Sequence, residues 1–429
     1  MKVLVIAFLC GTSSMKRTRN SPLYTRKSNM TLRALPPLLS ALVFLPLLTA
    51  QTAITITGPL TLGPQPGSQF NFTGGGAVTV TPGGAAQMKL DVTGTGDDQC
   101  NDNILSDAVV TMANGDKLNL TLFAPGTSGA TFPGTFVVTG GTGQFAGKGG
   151  SGTATFALST PPPNIALTLS LAGNLTNQLT VTPAITPTGV VPVGHTRNTI
   201  QPGSWISVYG RNLANGTTIW DGSTSNIPTT LGGVTATING KAAYFWFTSP
   251  GQLNLQAPDD TKYGCVNVTV NTPNGTVSTQ VNNNFAAPSL NLLDAKYPAA
   301  IVLTPDGSGT APGGQYSIVG PTGRFSYPTR PIKRGENLVL YGVGFGPTNP
   351  AVAAGNTFRG SAPTPKDFQL QVLLGNNLIP IAYSGLVGTG LYQINITVPA
   401  NTPSGDVPLR IVTPGVSAQS QDGIFLTIQ

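Results

Sequence analysis

The chain has one histidine, His195, and one glutamate, Glu336, among 429 residues. That scarcity limits its chemistry. A serine–histidine–aspartate relay needs an imidazole, so at most one could exist. No nucleophile elbow flanks His195, whose neighbours are Gly194, Thr196 and Arg197; it reads as a surface or strand-end residue at a domain edge. Charged residues are only 9% of the chain, too few for long surface helices, which draw on Glu, Lys, Gln and Ala. Cysteine occurs three times, at Cys10, Cys100 and Cys265. Two cysteines beyond the N-terminal segment cannot build a structural zinc site. Cys100 and Cys265 fall in different domains, and a disulfide would require two separate cores to approach closely. Both are expected as free, buried thiols.

What the chain does have is glycine (54) and proline (37), together with Thr, Val and Asn. This is the vocabulary of strands joined by tight turns. An apolar content of 39% argues against disorder. The net charge of +7 is misleading: seven of the 22 basic residues lie in residues 1–50, which hold no acid. From Gln51 onward 15 basic residues face 15 acidic ones. Nucleic-acid binding, which needs a concentrated basic surface, is therefore not expected.

Residues 34–48 are an apolar run, preceded by basic residues and followed by Thr49-Ala50-Gln51-Thr52-Ala53. Basic head, apolar middle and small-residue exit describe a secretory signal, with cleavage expected after Ala50 or, failing that, Ala53. The run is shorter than the ~20 residues a spanning helix needs. No transmembrane segment is expected after cleavage; an uncleaved anchor is the alternative. The head is long for a signal, so Met15 or Met30 competes with Met1 as the start.

The second half repeats itself. Gly203-Ser204-Trp205-Ile206-Ser207-Val208-Tyr209-Gly210 reads like Gly335-Glu336-Asn337-Leu338-Val339-Leu340-Tyr341-Gly342. Gln252-Leu253-Asn254-Leu255-Gln256-Ala257-Pro258 reads like Gln393-Ile394-Asn395-Ile396-Thr397-Val398-Pro399. A unit of this length is a small domain, and its alternating apolar and polar positions predict half-buried strands. The expected organisation is a signal region at 1–50, a β-domain at 51–182, a linker at 183–193, and two sandwiches at 194–288 and 289–429.

Within 51–182, strand-like segments at 77–81, 88–92, 117–122, 134–139, 152–156 and 165–169 alternate with turns, which predicts a barrel or sandwich. The stretch Gly134-Thr135-Phe136-Val137-Val138-Thr139-Gly140-Gly141-Thr142-Gly143-Gln144-Phe145-Ala146-Gly147 resembles a motif of the allene oxide cyclase and dirigent families. The resemblance implies a calycin-like antiparallel barrel and carries over no catalytic residue. Residues 186–429, through Gln201-Pro202-Gly203-Ser204-Trp205, Ser249-Pro250-Gly251-Gln252-Leu253-Asn254 and Leu340-Tyr341-Gly342-Val343-Gly344-Phe345-Gly346-Pro347, resemble a C-terminal domain family of secreted acidobacterial proteins. Each half is also similar to immunoglobulin-like domains of the plexin and transcription-factor (IPT/TIG) type. That family has no established activity. The resemblances imply an all-β chain: a barrel followed by two immunoglobulin-like sandwiches, outside the cytoplasm.

Three constellations invite chemistry. Asp91, Asp97, Asp98, Asp102 and Asp107 form the densest acidic group, but their loop lacks the spacing, central Gly and closing Glu of an EF-hand. A solvated turn is expected. The Gly-rich stretch 140–152 matches nucleotide-binding motifs in letters only, since no helix follows, and predicts a turn. Tyr244-Phe245-Trp246-Phe247, with Trp220, offers aromatics for carbohydrate contact through Tyr244, Trp246 and Trp220; core and interdomain packing is the competing expectation. No catalytic residue, metal site or cofactor is assigned. The expected role is cell-surface binding, adhesion or scaffolding, with a cell-envelope component or extracellular polysaccharide as partner and the oligomeric state open. The alternatives are small apolar-ligand binding or isomerisation in the barrel, and polysaccharide binding.

Overall fold

The computed structural model describes residues 51–429 except 67–70, 94–99, 101–102, 125–129, 161–163, 180, 305–315 and 417. The expected signal segment lies outside the described residues, as do Asp97, Asp98 and Asp102.

The regular secondary structure described is almost entirely β, with 60% strand against 1% helix. Eight strands close into an antiparallel barrel in chain order: β1 (Thr52–Pro64), β2 (Asn71–Thr81), β3 (Gly84–Thr93), β4 (Ile104–Met112), β5 (Lys117–Ala124), β6 (Thr131–Gly141), β7 (Gly149–Thr160) and β8 (Ile165–Thr176). Period-two alternation decides what points inward. In β3, Ala86, Met88, Leu90 and Val92 are buried while Gln87 and Lys89 are exposed. An eight-stranded barrel is just wide enough for side chains to fill. Here Phe136, Leu90, Val110, Leu120 and Leu122 share one apolar cluster, and Ser106 is the one buried polar side chain among the barrel's described residues. Each fully buried Leu or Phe contributes about 1.5–3 kcal/mol.

The Gly-rich stretch is the β6–β7 turn. A short 3-10 helix, Gly143–Phe145, drops Phe145 into the barrel core. Asp116 accepts the Gln144 amide at 3.1 Å, and Thr142 Oγ1 accepts the Lys117 amide at 3.0 Å. A carboxylate thus occupies the amide that a phosphate would seek.

The second module has two sheets. One runs, in spatial order, Thr199–Ile200, Gly275–Asn283, Gly264–Thr272, Val234–Ile238, Thr230–Leu231; the other runs Thr218–Ile219, Tyr244–Thr248, Gln252–Gln256, Trp205–Arg211, Ala184–Pro192. Side chains of both meet in a single core, with Val266, Val268 and Val270 from the first and Val208, Phe245 and Leu255 from the second. The stretch 183–193, expected as a linker, is corrected here. Ala184–Pro192 is an edge strand paired antiparallel with Trp205–Arg211. Its Pro residues fit an edge, where one side needs no ladder donors.

The third module repeats this plan. One sheet runs Ser289–Leu290, Asn337–Val343, Leu391–Thr397, Ile381–Gly388, Arg359–Pro363; the other runs Asn377–Ile379, Gln371–Leu374, Gly405–Thr413, Ala418–Gln419. Again one core joins them, through Leu338, Leu340 and Ile394 on one side and Val372, Leu409 and Ile411 on the other.

The duplicated motifs occupy equivalent places. Tyr209 lies opposite Gln252, and Tyr341 lies opposite Gln393. In both copies the Gln donates to the Asn two residues on, Gln252 to Asn254 at 2.7 Å and Gln393 to Asn395 at 2.8 Å. The glycine after each Tyr serves close packing. A Cβ on Gly210 would stand 2.1 Å from the Ala184 carbonyl, and one on Gly342 would stand 2.3 Å from that of Ser289.

The cysteines are also corrected. Cys100, on the β3–β4 connection, is disulfide-bonded to Cys265 of strand Gly264–Thr272, with Cα atoms 5.1 Å apart. Cys100 is buried but Cys265 is exposed. The two modules meet nearby as well, where β4 touches strand Ala184–Pro192. Arg211 closes the contact by gripping both carboxylate oxygens of Asp107, at 2.7 and 3.1 Å.

Candidate functional site

The aromatic candidates converge on the junction of the second and third modules. Strand Tyr244–Thr248 turns Phe245 into the core, where it is fully buried, and sends Tyr244 and Trp246 to the other face. A register shift between Phe245 and Phe247 adjusts that face. Trp246 meets Trp205 and Trp220 edge-to-face, with centroids 5.9 and 5.4 Å away, a geometry the ring quadrupole favours. Trp205 Nε1 donates to the Thr389 carbonyl across the junction at 2.7 Å. Val343 of the third module joins the cluster, and the Tyr244 ring lies against Gly355. Trp220 is 8% exposed; Tyr244 and Trp246 are half-buried. A sugar platform presents free ring faces, whereas these rings are turned toward one another and toward the third module.

Three glutamine side chains fasten the same junction. Gln201 hydrogen-bonds both the carbonyl and the amide of Gly346. Gln256 accepts the Gly355 amide at 2.9 Å and donates to the Gly203 carbonyl at 2.8 Å. Gln421 accepts the Leu290 amide and donates toward the carbonyls of Leu290 and Gly194. Buried polar atoms need partners, and an amide supplies a donor and an acceptor at once.

His195 also lies at this junction. Its Nδ1 accepts the amides of Thr196 and Arg197 at 2.8 and 3.0 Å, which leaves Nε2 as the protonated nitrogen, donating to the Gln419 carbonyl at 3.3 Å. Burial lowers its pKa, against the opposing pull of that carbonyl. Both ring nitrogens are thus engaged with backbone.

A second constellation escaped the sequence reading. Asp294, Lys296, Tyr297, Arg324, Phe325 and Asp406 meet on the third module. Arg324 Nε donates to Asp294 at 2.8 Å while its guanidinium lies 4.9 Å from the Tyr297 ring centre. Tyr297 donates to Asp406 at 2.7 Å, and Lys296 pairs with the same carboxylate at 2.8 Å. Burial raises the pKa of Asp294, but the Lys296 amide, Arg324 and the Tyr297 amide outweigh it and hold the carboxyl below its usual range. Asp406 is lowered in the same way, with burial opposed by Lys296, Tyr297 and Thr427. Two cations cancel two anions, so the group is a closed, neutral clasp. It pins residues 316–332, which have no counterpart in the second module, onto the sheet. The sequence signal was that extra length between Leu303 and Asn337, where the second module has only a short connection.

Of the acidic group, Asp91 and Asp107 are described. They are cross-strand neighbours on β3 and β4. Asp91 takes Thr73 and Lys89, while Asp107 takes Thr121 and Arg211. Among the described residues no three or more His, Cys, Asp or Glu side chains are grouped to hold a metal ion. Nor is any helix among them long and apolar enough to cross a membrane.

No family model matches the chain, and no curated protein matches it.

Proposed function

We propose that this chain is a secreted or cell-surface, non-enzymatic protein whose role is binding, adhesion or scaffolding. On this reading the second and third modules are immunoglobulin-like sandwiches, as the family resemblance of residues 186–429 implies. One observation carries the proposal: side chains are spent on holding modules together. The Trp205–Trp246–Trp220 cluster and the three glutamines knit two modules into one body. A barrel lumen lined by Phe136, Leu90 and Leu122 supports the same reading over ligand binding or isomerisation within the barrel, which calls for internal room and inward polar groups.

Export is supported by the basic-then-apolar N-terminal run, and by pairing of the only two cysteines beyond it. Disulfides persist in oxidising compartments and are rare in the cytosol. The test is pull-down of the chain from Gln51 onward against cell-wall and polysaccharide fractions, with fractionation of the producing cells. Recovery outside the cytoplasm and saturable binding to an envelope fraction are expected. Cytoplasmic retention, or no binding to any fraction, would overturn the reading. A glycan array with Trp246→Ala separates the polysaccharide alternative, since loss of glycan binding in that variant would favour it.

A further inference from the structure

The modules are joined unequally. The second and third share the tryptophan cluster and the glutamine amides. The barrel core, by contrast, draws only on residues between Ile54 and Leu175 and has none in common with the second module's core. Among the described residues, the barrel is tied to the second module by the Arg211 fork on Asp107 with its added bond to Thr121 at 3.2 Å, by the Cys100–Cys265 bond and by contact of β4 with strand Ala184–Pro192. Arg211 and Asp107 are both more than a third exposed, and exposed ion pairs hold little on their own. The fork does favour docking. Asp91 and Asp107 face each other across β3 and β4, and like charges so placed repel. Lys89 attends to the first and Arg211, from the other module, to the second.

We propose that the Cys100–Cys265 disulfide is a redox-sensitive latch: closed, it holds the barrel against the second module; opened by an external dithiol, it leaves the barrel on its connecting chain. Exposed disulfides are the labile and regulatory ones. Cys265 is the exposed residue of the pair and Cys100 the buried one, so we place the attack at Cys265. One thiolate of the dithiol bonds to Cys265 Sγ; the disulfide breaks, and Cys100 leaves as a thiolate that takes up a proton. The second dithiol sulfur then displaces Cys265, which is protonated in turn. The protein gains two electrons and two protons, and the dithiol becomes a disulfide. The barrel, whose core is its own, stays folded throughout.

The experiment is small-angle scattering and thermolysin digestion of the purified chain, before and after dithiothreitol, with peptide mapping of alkylated Cys100 and Cys265. Without reductant both cysteines resist alkylation. With it both react, the radius of gyration rises, and cleavage at Leu179 and Val181, each more than 40% exposed, accelerates at least fivefold. Cys100→Ser with Cys265→Ser gives the expanded form with or without dithiol. If that variant fails to fold, reduction of the folded wild-type protein followed in real time decides the matter. Unchanged scattering and cleavage after both thiols are alkylated would overturn the latch, as would free thiols in the protein never exposed to reductant.

Discussion

The side-chain amide of Gln201 closes a two-way hydrogen bond with the backbone of Gly346, donating to its carbonyl at 3.0 Å and accepting its amide at 2.7 Å. Tyr392 reaches the same carbonyl through its hydroxyl, and burial pushes that phenol up to about 12. A side chain of the second module thereby completes a turn of the third.

Gln201→Ala removes both bonds while Gly346 stays enclosed. The Gly346 carbonyl keeps the Tyr392 hydroxyl, so the amide alone is stranded, and a loss of about 1–3 kcal/mol is expected. Urea denaturation of the purified chain checks it. A loss below about 0.5 kcal/mol, the usual range for surface changes, would mean that water replaces the amide and that the junction is not fastened there.

All three tryptophans of the chain, Trp205, Trp220 and Trp246, sit in one cluster. Intrinsic emission therefore reports on this junction and is blind to the barrel. Gly390 has φ +61°, and a Cβ there would stand 2.5 Å from the Trp205 ring. Gly390→Ala should shift emission to the red and cost about 1–3 kcal/mol. Gly388→Ala, whose nearest atoms would be 3.6 Å away, is the control and should leave emission unchanged. Equal spectra for the two variants would contradict the packing described.

The parts of this architecture visible in sequence are those that local periodicity encodes. The alternation in Met88-Lys89-Leu90-Asp91-Val92 lies within β3, and the paired Tyr-Gly and Gln-x-Asn motifs lie on neighbouring strands in both copies. The apolar alternation is interrupted in β1 by Gly58-Pro59 and in β4 by Ser106-Asp107, which hides both strands at the level of local pattern. Ala184–Pro192 passed for a linker because its proline and threonine content masks an edge strand. The Cys100–Cys265 pairing, the glutamine contacts and the Asp294–Asp406 clasp join residues far apart in the chain, and no local pattern announces them. Of the aromatic candidates, composition gave the residue types, while only the packing of the third module decided what their faces meet.

Phe136 is among the largest fully buried side chains, and its ring lies over Gly152 and Gly173 of β7 and β8. Phe136→Ala should cost about 3–5 kcal/mol through lost burial and the cavity left behind. Calorimetry should show the loss in the barrel, with tryptophan emission of the folded protein unchanged. A near-neutral outcome would indicate a lumen that is loosely filled, and would revive ligand binding within the barrel.

His195 is the chain's one imidazole, which makes the mildly acidic range simple to read. Burial lowers its folded pKa below the ordinary 6.5. The unfolded chain therefore takes up a proton near 6.5 that the folded chain refuses, and stability must fall as pH drops from about 6.5 toward the folded value. Protonating Nδ1 would also cost the bonds it accepts from Thr196 and Arg197. Carboxylates act in a lower window. Asp260 is held at about 2: burial opposes ionisation, but Asn239, the Lys262 amide, Lys241 and the Thr261 amide outweigh it. Its contribution is complete above about 4 and disappears only as pH approaches 2. Urea midpoints at pH 7.5, 6.5, 5.5 and 5 should decline for the wild-type protein and stay level for His195→Gln across the same range. A flat wild-type profile, or an equal decline in the variant, would place the acid sensitivity elsewhere than at the His195–Gln419 contact.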